Sequence, residues 1–241
     1  MSQSPLPGRL LLVPTPLQQP EDCTPWLLEA DRQQVARLRH FFVETPKTAR
    51  RWLGQVGLDS PLQAVEMRAL PKHGERIDAR DWLAPLLAGH DAGLLSDAGC
   101  PGVADPGALL VEAAHAAGIT VLPLVGPSSL LLALMASGLN GQRFAFQGYL
   151  PASAEARAQA IGTLARRSAT DQETQLLIET PYRNQAMAEA LLRHLPERAR
   201  LCIATDLTGQ AQSVRTQTVA QWRRQPPQMP ARRPAVFLFL A

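Results

Sequence analysis

Aromatic residues are scarce, with Phe, Trp and Tyr making up 5% of 241 residues. That weakens any reading built on rows of rings stacking single-stranded bases. Cysteine is also rare. Cys23, Cys100 and Cys202 are odd in number and far apart, which argues against a secreted disulfide framework and for a reducing, cytoplasmic setting. No Cys-x-x-Cys occurs, and His40, His73, His90, His115 and His194 form no His-x-x-x-His pair, so no metal site is expected. Long apolar runs are missing too. The N-terminal run stops at Pro14, short of a signal-peptide core, and the uncharged stretch from Ala113 to Gln142 is interrupted at Gly118, Pro123 and Gly126-Pro127. No membrane span is expected. Neither G-x-G-x-x-G nor G-K-[ST] is present, which excludes a dinucleotide fingerprint and a Walker loop.

What remains is a globular composition, 46% hydrophobic and 19% charged, on a chain long enough for one or two domains. The formal charge of +3 conceals an asymmetry. Residues 1–124 carry eleven basic against fourteen acidic side chains (−3), and residues 125–241 carry thirteen against seven (+6). Nearly all the basic residues are arginine, which suits fixed-geometry contacts with phosphate or carboxylate. The arginines between Arg193 and Arg233 are read either as a solvated face, the commoner case, or as a surface for an anionic partner.

Short apolar runs alternate with helical spacing almost throughout. Strands are predicted over 9–13, 40–43, 62–67, 92–95 and 120–125, with helices over 25–38, 45–53, 76–87 and 108–117 between them. After Gly126-Pro127 the pattern restarts. Helices are predicted over 129–136, 154–167 and 184–195, and strands over 143–149, 174–178, 199–204 and 234–240. The expectation is therefore an α/β protein of two domains, 1–124 and 125–241.

The segment Ser96-Asp97-Ala98-Gly99-Cys100-Pro101-Gly102-Val103-Ala104-Asp105-Pro106-Gly107 stands where a strand ends and a helix begins. Ligands of open α/β sheets bind at the carboxyl ends of strands, and the glycines and prolines fix a bent backbone able to touch a ligand through its own N–H and C=O groups. With phosphate clamps excluded, an adenosine ligand held by backbone contacts is the sharp reading, and a plain tight turn is the bland one. Asp105, ahead of Pro106-Gly107, reads as a helix N-cap.

The run SDAGCPGVADPG, followed by GITVLPLVGPSSLLLALMASGL and FAFQGYLP in that order and spacing, resembles the tetrapyrrole methylase superfamily of class III methyltransferases. LLVPTPL, ETPKTARRWL, PKHGE and LIETPYRN extend the likeness over nearly the whole chain. The branch it resembles most methylates a cytidine ribose hydroxyl of small-subunit ribosomal RNA. Departures fall at Glu44-Thr45-Pro46-Lys47, where that branch has Glu-Asp-Thr-Arg, and at Thr205-Asp206-Leu207-Thr208-Gly209, where it carries two more basic groups.

The resemblance implies a homodimer that uses S-adenosylmethionine (SAM), held in a cleft between two α/β domains. By motif, the cofactor contacts would be Pro14, Ala98, Gly99, Cys100, Val103, Ser128 and Ser129, with Glu179 and Leu207 in the second domain. Asp97, Glu44 and Arg183 are the catalytic candidates. Asp105 and Glu179 are further carboxylates able to take a proton from a hydroxyl acceptor. Arg183 is read either as a phosphate contact or as the ion-pair partner of Glu179. The partner expected is ribosomal RNA or the small ribosomal subunit. Two alternatives stand beside this: a tetrapyrrole C-methyltransferase, and a degenerate SAM-binding protein without efficient turnover.

Overall fold

The computed structural model describes residues 6–18, 26–71 and 77–241. Cys23, most of the Pro71–Glu75 motif with His73, and the first residue of the helices predicted from Pro25 and Arg76 lie outside that set. The chain divides into two compact units, Met1–Ser128 and Ser129–Ala241.

Unit 1 is built on five parallel strands: β1 (Leu10–Leu12), β2 (His40–Val43), β3 (Glu66–Ala69), β4 (Ala92–Leu95) and β5 (Val121–Pro123), in the order β3-β2-β4-β1-β5. Because side chains alternate along a strand, each face gathers its own core. Leu10, Phe42 and Leu94 pack with Trp82, Leu86 and Leu110. Leu11, Phe41, Val43 and Leu95 pack with Val35 and Leu53. The covering helices are α1 (Glu29–Ala36), α2 (Pro46–Val56), α3 (Ala79–Trp82), α4 (Ala84–Leu87) and α5 (Ala108–Ala116).

Two expectations shift. The helix predicted over 76–87 is two single turns, α3 and α4, meeting at Leu83. Pro85 has no N–H to give, and its ring bars the carbonyl four residues earlier. The strand predicted over 62–67 starts as a 3₁₀ turn, Leu62–Ala64, and the ladder runs on to Ala69 because β3 takes its register from β2, His40 opposite Glu66 and Val43 opposite Ala69.

Unit 2 comprises α6 (Ser129–Ser137), β6 (Phe144–Phe146), α7 (Ala154–Asp171), β7 (Thr174–Glu179), α8 (Asn184–His194), β8 (Arg200–Thr205), β9 (Ser213–Thr218), α9 (Val219–Arg224) and β10 (Ala235–Leu240). Its strand order is β6-β7-β10-β8-β9, parallel only between β6 and β7. Leu177, Leu201, Phe237 and Phe239 are fully buried against Ile161, Leu191 and Trp222. β9 and α9 are additions to the sequence reading. β9 is a polar edge strand with no apolar run, and α9 is six residues started by a capping box between Thr218 and Gln221. Among the described residues no helix is long and apolar enough to cross a membrane.

The unit boundary falls after Ser128, four residues beyond the change of charge, and packing explains the difference. Gly126 lies so close to the Pro14 ring that a Cβ there would overlap it, the Cys100 thiol donates to the Pro127 carbonyl at 3.4 Å, and the Leu124 N–H donates to Leu12. Gly126→Ala is expected to lower stability by about 1–3 kcal/mol through this overlap, measured by urea unfolding. Gly141→Ala, where a Cβ meets open space, should leave the midpoint nearly unchanged.

Candidate functional site

The carboxyl ends of β1, β2 and β4 converge on the segment Ser96–Gly107. A reciprocal clasp joins β2 to β4. The Glu44 N–H donates to the Leu95 carbonyl at 3.1 Å, and the Asp97 N–H donates back to Glu44 Oε2 at 2.8 Å. The Thr45 hydroxyl donates to Asp97 Oδ2 at 2.8 Å, and the Trp52 indole N–H donates to the Asp97 carbonyl at 3.2 Å. Thr45 occupies the N-cap of α2 yet makes no side-chain cap, because its hydroxyl is spent on Asp97. From β1, Thr15 and Gly99 exchange backbone hydrogen bonds at 2.8 and 3.0 Å, and the Trp26 indole donates to the Pro14 carbonyl at 2.9 Å.

The loop between these anchors is bent well away from ordinary backbone. Gly99, Gly102 and Gly107 have φ of 82°, 79° and 129°, and Ala104, which has a Cβ, has φ of 65°. A left-handed alanine costs about 1–2 kcal/mol, strain that characteristically collects at functional sites. Val103 is 48% exposed, and the space over Gly102 is open.

Asp105 does not cap α5, contrary to the sequence reading. The N-cap is Gly107, and no side chain caps the helix. Its carboxyl instead lies half-buried beside the Ser96 hydroxyl, within electrostatic reach of Glu44 and Asp97. Burial is the main cause that pushes its pKa up to about 6, with the negative charges of Glu44 and Asp97 adding to it and the Ser96 hydroxyl opposing it. Burial likewise raises the Glu44 pKa, against the Asp97 N–H, which lowers it. The Cys100 thiol is raised by burial and by Asp105, so it stays protonated and unreactive at neutral pH.

Among the predicted site residues, Pro14, Glu44, Asp97, Ala98, Gly99, Cys100 and Val103 share this edge of unit 1. Ser128 is the last residue of unit 1, and Ser129 opens α6 in unit 2. Glu179 and Leu207 share one edge of the second sheet, since Ala235 of β10 pairs with Glu179 on one side and Thr205 on the other. Glu179 is buried and accepts from the Thr180 N–H at 2.7 Å and from Arg183 at 2.6 Å. Of the two readings of Arg183, the ion pair is therefore present. Leu207 is buried between Asp206 and Thr208, whose φ values are 52° and 66°, and Asp206 is held by Arg233 at 3.0 Å. Thr45 and Trp52, which fix Asp97, went unread in the sequence, because only the fold brings them beside a residue some fifty positions away.

The model of the tetrapyrrole (corrin/porphyrin) methylases matches residues 10–222. The chain belongs to the tetrapyrrole methylase family. Ribosomal RNA small subunit methyltransferase I of Xylella fastidiosa (strain Temecula1) is 39% identical over 165 residues, 68% of this chain and 57% of that protein. The Haemophilus influenzae protein of the same name is 30% identical over 218 residues, 90% of this chain and 72% of its own length. In its matches to the Xylella and Pseudomonas aeruginosa relatives, the chain spans 57–58% of their length. Among solved structures, the methyltransferase CobJ aligns with a TM-score of 0.60 at 17% identity, covering 96% of this chain and 93% of that one. Uroporphyrin-III-C-methyltransferase from Thermus thermophilus gives 0.53 at 18% identity, covering 97% and 92%.

The raised Asp105 pKa has a signed consequence for stability. Between its ordinary value and about 6 the folded state binds the proton more tightly, so this carboxyl weakens the fold as pH rises through that window. After discounting for partial solvent screening the cost is about 1 kcal/mol. Asp105→Asn is expected to raise the midpoint of thermal unfolding at pH 7.5 and to leave it nearly unchanged at pH 4.

Proposed function

We propose that the chain is a SAM-dependent methyltransferase whose acceptor is a ribose hydroxyl of small-subunit ribosomal RNA. The observation that carries this reading is the trio of half-buried carboxylates, Glu44, Asp97 and Asp105, beside a bent and open loop at the carboxyl ends of parallel strands. SAM, when bound, supplies a methyl group on a sulfonium cation. A loop of exposed backbone next to three carboxylates suits a cationic ligand on electrostatic grounds, and Val103 offers an apolar contact to the adenine. Pro14, Ala98, Gly99, Cys100, Val103 and Ser128 are the unit 1 residues that would hold it.

Methyl transfer to a hydroxyl needs positioning and a proton acceptor. Asp105 takes that proton: near neutral pH it is ionised yet more basic than an ordinary carboxylate, and no cap hydrogen bond consumes it. Asp97, pinned through side chain, N–H and carbonyl, and Glu44, which holds its N–H, supply the negative field and keep Asp105 basic. The Arg183 guanidinium commits Nη2 to Glu179 and has further N–H groups for an acceptor phosphate. The relatives named ribosomal RNA small subunit methyltransferase I support the choice of acceptor and a cytoplasmic site of action.

A second copy completes the reading. On α6, Leu131 and Met135 are 54% and 79% exposed, an apolar face that a homodimer would cover.

Four measurements test this. In calorimetry SAM should bind at submillimolar concentration, and failure to bind would refute cofactor use. Labelled methyl should enter small ribosomal subunits that lack the modification. Uptake into a corrinoid precursor instead would identify a tetrapyrrole acceptor, and binding without uptake into either would identify a non-catalytic protein. The transfer rate should rise with pH through about 6 and fall at least a hundredfold in Asp105→Asn. For the dimer, Met135→Glu should move the chain from dimer to monomer in light scattering, and a monomeric wild type would refute it.

A further inference from the structure

The amino ends of the unit 1 strands, opposite the loop, border an open groove of about 830 Å³. Its acids are already engaged. Asp91 accepts the Arg9 guanidinium at 2.6 Å, and Glu66 faces His40 Nδ1 at 3.1 Å, with the His90 ring tilted against that of His40 at 5.2 Å between centroids. Arg37 and Arg39 also line the groove, and their side chains have no ion pair or hydrogen bond among the described residues. Leu38 between them is 4% exposed and pins the segment to the core, which holds both exposed arginines at the rim. Arg37 follows the last turn of α1, where a cation complements the helix dipole. Arg39, at the mouth of β2, has no such role.

Apart from Leu38, Ala64 and Gly89 the lining is polar, so the groove has no apolar wall of the kind that encloses a base or a small ligand. What it reads is charge. We infer that the groove binds the phosphodiester backbone of a polynucleotide, with Arg37 and Arg39 as phosphate contacts. That this polynucleotide is the methyl acceptor rests on the function proposed above. β4, four residues long, puts roughly 13 Å of strand between the groove and the loop, so these contacts anchor substrate without touching the reacting atoms.

The test is fluorescence anisotropy with small-subunit ribosomal RNA, run without SAM, on the wild type, Arg37→Ala/Arg39→Ala and Arg37→Lys/Arg39→Lys. Raising salt from 50 to 200 mM should weaken the wild type about tenfold more than the alanine variant, as expected for the loss of two phosphate contacts. The lysine variant should recover most of the difference. In turnover the alanine variant should raise KM for RNA with kcat and SAM binding unchanged. Equal affinity and equal salt slope in the wild type and the alanine variant would overturn the inference, even if the RNA is methylated. Groove-dependent RNA binding without methylation would uphold it and defeat the proposed function instead. Displacement of RNA by micromolar pyrophosphate would make the ligand a small phosphorylated molecule and overturn the polynucleotide assignment.

Discussion

The clasp between Glu44 and Asp97 is the constraint on which the unit 1 site depends. A carboxylate from the end of one strand accepts the backbone N–H at the end of its neighbour, while the next residue, Thr45, returns a hydroxyl to the neighbour's carboxylate. Two strand ends are thereby tied where the chain enters a loop that contains a left-handed alanine. Charged hydrogen bonds of this kind are stronger than neutral ones and fix direction as well as distance. Trp52 adds a third point of attachment from α2, so the helix after β2 also sets the position of the loop after β4.

The clasp has an electrostatic cost that Asp105 bears. Glu44 and Asp97 are held close by their donors, and a third carboxyl placed near them in a half-buried position shifts toward its neutral form. The loop thus stores backbone strain and like-charge repulsion together. A cationic ligand relieves the second, which is the physical reason that an acidic, glycine-rich turn suits a sulfonium better than a phosphate.

Much of this was legible in the sequence, for reasons that can be stated residue by residue. His40–Val43 and Ala92–Leu95 coincide with the predicted strands because Phe41–Val43 and Ala92–Leu95 are short apolar runs buried on both faces, the strongest signal a parallel sheet gives. β9 was illegible for the opposite reason: an edge strand with one wet face reads Ser-Val-Arg-Thr-Gln-Thr, which has no apolar stripe. Asp105 was misread because Asp before Pro-Gly has the local chemistry of a cap, and only the fold shows Gly107 in that place. The basic groove has no signature in the sequence, because its arginines belong to the half whose net charge is negative. Net charge over a domain averages away a local excess.

The position of β10 carries a consequence for synthesis. β7 and β8 never pair with each other, and each pairs with β10. About thirty-five residues separate the end of β8 from the end of β10, which at typical elongation speeds is roughly two to seven seconds on the ribosome. During that interval Leu176, Leu177, Leu201 and Ile203 lie on strands whose central edges are unpaired. Unit 1 already has all five of its strands by then. The second sheet is therefore the part of the nascent chain most open to pairing with a neighbour.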